Sequence, residues 1–263
     1  MIKKATADKI KEGIAAILNH CRKLTLPLTR LSDTREPVGV ASGFFISLDG
    51  ATYLISAGHA LDKVGWTIET HFTIEDKGVT ACIPINSPWI LKKFTTKSPK
   101  LQEVDVAWAK VDLAAFQKTV LENKLLKGKK FEYLVYQGPM DDTPDPHEPH
   151  AYAAANRVVL FEAPKGKYME RDVSYEFEME YKGLREDGLY VFSIPKHKGH
   201  EYYKGSSGSP IVEPTGKIVA IFVQGCVTKN ELYGYPTKGL VDFIKIGIHA
   251  ERRTSNTTRT TQP

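Results

Sequence analysis

The sequence predicts an all-β protein, a barrel or sandwich rather than a β–α–β sheet, on three observations. Short apolar runs of strand length recur from about residue 40 to 224, with turn residues between them. Asp49-Gly50 joins two of these runs, "ASGFFISL" and "ATYLIS", as a tight hairpin would. Helical periodicity is confined to the two ends of the chain and one short connector.

In chain order, Ile10, Ile14, Ile17, Leu18 and Cys21 recur at helical spacing among lysines and a glutamate, which predicts an amphipathic helix over roughly 7–22. Arg22 and Lys23 suit the negative end of its dipole, and "LTLPL" after them reads as extended chain. After the Asp49-Gly50 hairpin, strands are predicted at 66–74, 79–85, 104–111, 131–137, 151–161, 173–181, 189–194, 210–213 and 218–224. "LAAFQKTVLENK" (113–124) reads as a connecting helix between two β halves. "GPMDDTPDPHEPH" (138–150) is a Pro- and Asp-rich loop that no strand could hold. "LVDFIKIGIHAE" (240–251) is apolar at helical spacing, and "RRTSNTTRTTQP" after it has nothing to bury and is expected to be disordered.

The chain has 263 residues, 41% hydrophobic and 25% charged, an ordinary balance for a globular protein with a real core. Its net charge of +5 is concentrated at the ends. Residues 1–30 hold seven Lys/Arg against Asp8 and Glu12, and residues 251–263 three Arg against Glu251. The body between them is slightly acidic, which argues against a nucleic-acid groove there. Cys21, Cys82 and Cys226 are odd in number and widely spaced. They form neither a disulfide framework nor a zinc pattern and suit a reducing compartment. No run has the length of a membrane span and "GIAAIL" is too short for a secretory core, so a cytoplasmic protein is expected.

Three short blocks carry chemistry. A strand ends at "LISAGHAL", leaving His59 just beyond it; "EVDVAWAKVDL" opens a second strand at Asp105; and "YYKGSSGSPIVE" centres Ser207 in a Gly/Ser turn before an apolar run. A serine hydroxyl is a weak nucleophile at neutral pH and needs a base within reach, which a histidine supplies and a carboxylate orients.

Together these blocks resemble the trypsin-like (chymotrypsin-fold) serine peptidases, over roughly residues 37–250. The matching segments are Ala57-Gly58-His59, Asp105-Val106-Ala107-Trp108-Ala109-Lys110 and Gly205-Ser206-Ser207-Gly208-Ser209-Pro210, in that family's order. The resemblance implies two antiparallel β-barrels with the site between them. The corresponding division is an N-terminal helix and extended arm (1–30), a first barrel carrying His59 and Asp105 (31–125), a second barrel carrying Ser207 plus a C-terminal helix (126–251), and a tail (252–263). It implies His59 as base, Asp105 as its orienting carboxylate, Ser207 as nucleophile and the N–H groups of Gly205 and Ser207 as the oxyanion hole. A substrate strand would add along Val223, Gln224 and Gly225. Gly234 falls near the family's S1 wall. Glu201, six residues before Ser207, stands where trypsin-type members keep an acidic selector of basic P1 side chains; with no disulfide to fix its loop, it reads by itself as an exposed loop carboxylate.

The departures are as informative. Ser206 replaces the aspartate that pairs with a freshly cut N-terminus in secreted members, and no Ile-Val-Gly-Gly-type activation site is present. Val223 replaces a serine that supports the catalytic aspartate, and Ala60 stands where a cysteine commonly follows the histidine. In character this is nearest to intracellular bacterial and high-temperature-requirement (Htr) members, without a PDZ-like segment. The expected activity is endopeptidase cleavage through an acyl-enzyme, controlled by a partner or by loop ordering rather than zymogen cleavage. A non-cleaving protein that binds a partner's peptide strand is the alternative, and nucleic-acid binding through the basic ends a third reading. No cofactor or metal is expected: His147 and His150 with Asp141, Asp142 and Asp145 read as a solvated acidic loop, and "KHKGH" (196–200) as a solvated basic one. Cys226 reads as a small packed residue beside the cleft.

Overall fold

A computed structural model describes residues 2–74, 79–86, 88–95, 98–122, 134–140, 143–163 and 166–259. Helix α1 (Ile2–Leu24) is followed by strands β1 (Thr25–Leu31), β2 (Pro37–Leu48), β3 (Ala51–Ser56), β4 (Trp66–Ile74), β5 (Val79–Pro84), β6 (Trp89–Thr95) and β7 (Ser98–Val111). Helix α2 (Leu113–Glu122) leads to the short β8 (Val135–Tyr136). The second half holds β9 (His150–Ala163), β10 (Gly166–Leu184), β11 (Tyr190–Ser193), the single turn α3 (His200–Tyr203), β12 (Pro210–Val212), β13 (Ile218–Cys226), β14 (Glu231–Pro236) and α4 (Leu240–Arg259).

The two expected β halves are present, and they close differently. The second is a closed six-stranded barrel in the order β10-β11-β14-β13-β12-β9. The first is an eight-stranded sheet, β5-β4-β1-β2-β3-β7-β6 with β8 beside β2, curled as a half-barrel. Pairing is antiparallel except for β2 with β8. The Asp49-Gly50 hairpin forms as read: both residues have positive φ (50° and 76°), as a type I′ turn requires, and Leu48 pairs with Ala51 across it.

Strand alternation builds the core in layers. On β2, Phe44 and Ile46 face one cluster and Phe45 the other; on β3, Tyr53 and Ile55 part from Leu54 in the same way. The cluster of Phe44 and Ile46 also takes Ile218 and Ile221 from β13 and Leu240 and Ile244 from α4, so it joins the two halves. Phe45 and Leu54 lie inside the first half, and Tyr152, Phe192, Ile211 and Phe222 fill the second. The halves are also tied by a near-buried ion pair. Arg171 on β10 reaches Glu69 on β4 (Nε–Oε2 2.7 Å, Nη2–Oε1 2.6 Å) and donates to the Thr29 hydroxyl on β1 at 2.6 Å.

Several boundaries differ from those read in the sequence. The extended arm expected up to residue 30 is instead an interior strand, β1, between β2 and β4, because Leu26 and Leu28 are buried on one face while the Thr25 and Thr29 hydroxyls find hydrogen bonds on the other. Strand β6 was not anticipated, and β7 and β10 begin earlier than 104 and 173. Of the strand expected at 131–137 only Val135–Tyr136 is seen, residues 131–133 lying outside the described residues. Helix α4 continues to Arg259 instead of giving way to a disordered tail at 252: no proline interrupts it, and extending a formed helix needs only one more residue fixed per hydrogen bond.

Candidate active site

His59 sits in a single 3-10 turn, Gly58–Ala60, immediately after β3, and Asp105 lies on β7, the neighbour of β3 in the sheet. Strand pairing therefore brings them together. The His59 ring nitrogen Nδ1 lies 2.8 Å from both carboxylate oxygens of Asp105, and the His59 backbone N–H donates to Oδ1 at 2.9 Å. Gly58 makes this approach possible: a β-carbon there would stand 3.0–3.2 Å from the backbone of Val104, Asp105 and Val106. The Gly58 N–H is a further donor to Asp105, so backbone amides hold the carboxylate where Val223 offers no hydroxyl.

The electrostatics follow from this contact. The hydrogen bond to Asp105 and then its charge raise the His59 pKa above 6.5, against the opposing effect of burial. Burial would push Asp105 up, but the hydrogen bond and charge of His59 and the two amides outweigh it and hold the carboxyl below its usual value. The imidazole is 53% exposed, open to a substrate.

The Ser207 loop is pinned to the first half. Ser42 on β2 donates its N–H to the Ser207 carbonyl (2.9 Å) and its hydroxyl to the Gly205 carbonyl (2.9 Å), while Ser56, at the end of β3, donates to the Ser42 carbonyl (2.6 Å). Gly208 crosses this junction with φ +96°, and a β-carbon on it would fall 1.9 Å from the Ser42 carbonyl oxygen. Only glycine fits. The loop is thus anchored on Ser42, whose carbonyl is held by Ser56, three residues before His59 in sequence.

Within the loop the amides divide into two sets. The N–H groups of Ser206, Gly208 and Ser209 donate to the carbonyls of Tyr203, Phe222 and Ser206. Those of Gly205 and Ser207 donate to no acceptor among the described residues. Gly205 has φ +80°, the turn that its place in the sequence suggested. Ser206 is wholly buried; its hydroxyl meets that of Ser174 at 3.0 Å, beside the phenol of Tyr152. Neutral hydroxyl contacts therefore occupy the position where the sequence lacks the family's aspartate. The Ser207 hydroxyl itself donates to the Val223 carbonyl at 3.2 Å and is not hydrogen-bonded to His59.

Ser207, Gly205, Glu201, Val223, Gln224 and Gly225 line one cleft of about 480 Å³. Strand β12 pairs with β13 only as far as Ile221, so the 223–225 edge has no strand beside it on that side among the described residues. Two expectations fare differently. Glu201 is 91% exposed and pairs loosely with Lys204 (3.7 Å), so it is not a buried charge at the base of a pocket. Gly234 faces the barrel interior against Ala220 and Ile211 and takes no part in the cleft, because β14 pairs with both β11 and β13 there.

Sequence reading missed Ser42, Ser56, Ser174 and the burial of His197. The only signal for the first two was a polar residue within each apolar run. His197 belongs to the segment read as a solvated basic loop, but its ring is buried against Tyr203, with centroids 4.5 Å apart. Of the histidines weighed for a metal, His150 is fully buried against Phe192 and His147 is exposed, so they share no site; Asp141 and Asp142 lie outside the described residues.

No family model and no curated protein matches the chain. Solved structures show the fold. A chain named GrC superposes with a TM-score of 0.55 at 12% identity, covering 88% of this chain and 96% of its own. Neuropsin, a serine protease expressed in the limbic system of mouse brain, gives 0.52 at 10% identity, with coverages of 87% and 96%. A chain named HBP gives 0.54 at 10% identity, covering 88% and 93%. The architecture is the chymotrypsin-like double barrel.

Proposed function

We propose that this protein is a serine endopeptidase acting through an acyl-enzyme on Ser207. The observation that carries the reading is the pairing of an oriented, open imidazole, His59 on Asp105, with a nucleophile loop whose Gly205 and Ser207 amides are left without acceptors. His59 takes the proton from Ser207 as its oxygen attacks the scissile carbonyl, then delivers it to the leaving amine. Asp105 fixes the ring with its proton on Nδ1 and stabilises the imidazolium. The two free amides receive the negative charge that develops on the carbonyl oxygen, a contribution of about 3 kcal/mol per donor in comparable sites. The substrate backbone adds as a strand along Val223–Gly225.

Before attack, the Ser207 hydroxyl must leave the Val223 carbonyl and turn toward His59. That resting contact supports control by a partner or by loop ordering. With Ser206 among hydroxyls, the loop has no buried carboxylate that calls for a new N-terminus. The setting we favour is cytoplasmic, in keeping with the spaced cysteines. The same resting contact also favours the second reading, a binder of partner strands that does not cut.

The test is labelling by a fluorophosphonate, with cleavage of a diverse peptide mixture mapped by mass spectrometry, each with and without candidate partners. The peptidase reading expects both activities and their loss in Ser207→Ala and His59→Ala. Absence of labelling and cleavage under every condition, with peptide binding retained, establishes the binder instead.

A further inference from the structure

The cleft beside Ser207 contains one buried polar atom that nothing among the described residues satisfies, the Nε2 of His197. Its residue is only 6% exposed and is held from several sides. The His197 backbone N–H donates to the Asn230 side-chain oxygen at 2.9 Å, and its ring meets Tyr203, whose hydroxyl donates to Glu176 at 2.8 Å. The Gly199 N–H donates to Nδ1 at 3.0 Å, which makes Nδ1 the acceptor and puts the proton of the neutral ring on Nε2. Burial, and then the nearby charge of His200, lower the pKa of His197, so the ring is neutral at neutral pH.

A buried N–H without an acceptor is rare and costly, and it calls for an occupant. Gly225 indicates where that occupant lies. A β-carbon at 225 would stand 2.6 Å from His197 Nε2, so that nitrogen lies directly beneath the strand edge where a substrate would pair, and glycine alone leaves room over it. Glu201, the residue that would favour a basic side chain, is out in solvent and partnered by Lys204.

We infer that His197 is the specificity-determining residue of the S1 subsite, donating from Nε2 to an uncharged side-chain carbonyl, so that the preferred P1 residue is glutamine. This rests on the peptidase reading for its meaning, but the subsite is a binding property that can be measured without cleavage. A neutral donor suits a carboxamide oxygen better than a carboxylate, which would need a charged partner as it left water. A leucine of similar length would leave both the donor unpaired and its own position unselected.

The test uses the Ser207→Ala protein and hexapeptides that differ only in a C-terminal Gln-amide, Glu-amide, Leu-amide or Lys-amide, with affinities measured by calorimetry. The Gln peptide is expected to bind about tenfold or more tightly than the other three. His197→Phe, which keeps a ring but removes the donor, should erase that preference, and Gly225→Ala, which covers Nε2, should do the same by a different route. Thermal melts confirm that each variant is folded; if His197→Phe is not, Gly225→Ala carries the comparison. Equal affinity for all four peptides, tighter binding of Leu, Lys or Glu, or a Gln preference that survives in the folded variants overturns the inference. Cleavage by the unaltered chain is scored separately: a Gln preference without cleavage leaves the subsite standing and removes the peptidase, whereas cleavage after other residues does the reverse.

Discussion

Gly208→Ala should be among the most damaging single-methyl additions to this protein, and the structure says by how much. The new β-carbon would lie 1.9 Å from the Ser42 carbonyl oxygen and 2.5 Å from the Ser56 hydroxyl. Ordinary contact is about 3.5 Å, so the Ser207 loop must retreat by roughly 1.5 Å. That retreat breaks two cross-barrel hydrogen bonds, Ser42 N–H to the Ser207 carbonyl and Ser42 hydroxyl to the Gly205 carbonyl, at about 1 kcal/mol each. Left-handed backbone at a non-glycine residue adds about 1–2 kcal/mol. The sum, about 3–4 kcal/mol, corresponds to a fall of roughly 6–16 °C in Tm for a chain of this size. Gly50→Ala is the internal control: its φ is also positive, +76°, but no atom lies within 4 Å of the added carbon. It should show the strain alone, a loss of about 2–8 °C. Thermal unfolding of the two variants, with fluorophosphonate labelling of Ser207, separates clash from strain. If Gly208→Ala melts within about 2 °C of Gly50→Ala and labels at the unaltered rate, the cross-barrel anchoring of the Ser207 loop is refuted.

Three other outcomes follow from the contacts described. His59 can accept a proton only when neutral, and Asp105 raises its pKa, so kcat/KM should fall as pH drops through a value above 6.5. Asp105→Asn should move that acid limb down and reduce turnover by about 10⁴-fold, the usual cost of losing the orienting carboxylate of a Ser-His-Asp triad; a pH–rate profile of both proteins decides. Arg171→Ala should cost about 3 kcal/mol in a urea titration, because it leaves Glu69, 13% exposed, without its main counter-charge, whereas Arg171→Met with Glu69→Leu should recover most of the loss. The Thr228 hydroxyl and the Lys229 amide lower the pKa of Cys226, while burial pushes the Cys21 thiol up to about 12. Iodoacetamide at neutral pH should therefore alkylate Cys226 first and Cys21 only after denaturation, as a mass-spectrometric time course will show.

The site was legible in part because its residues lie where local chain chemistry marks them. A Gly/Ser turn before an apolar run, a histidine one turn past a strand and an aspartate on an alternating strand are visible without any fold. The Asp49-Gly50 hairpin was readable for the same reason, since two positive φ values are a property of those residues themselves. Strand β6 and the early part of β7 were not, because a Lys-rich segment lacks the alternation that announces a half-buried strand.

By itself the sequence determined the β class, the hairpin register and the identities of His59, Asp105 and Ser207 as residues that could act together. Tertiary structure alone decided that β1 is interior, that Ser42 and Ser56 tie the Ser207 loop to the opposite half, and that Glu201 points to solvent while His197 is buried beside the cleft. The physical reason is range. Turn conformation and strand periodicity arise between neighbours in the chain, whereas which amide finds an acceptor and which ring loses its water depend on segments that meet only when the two halves close.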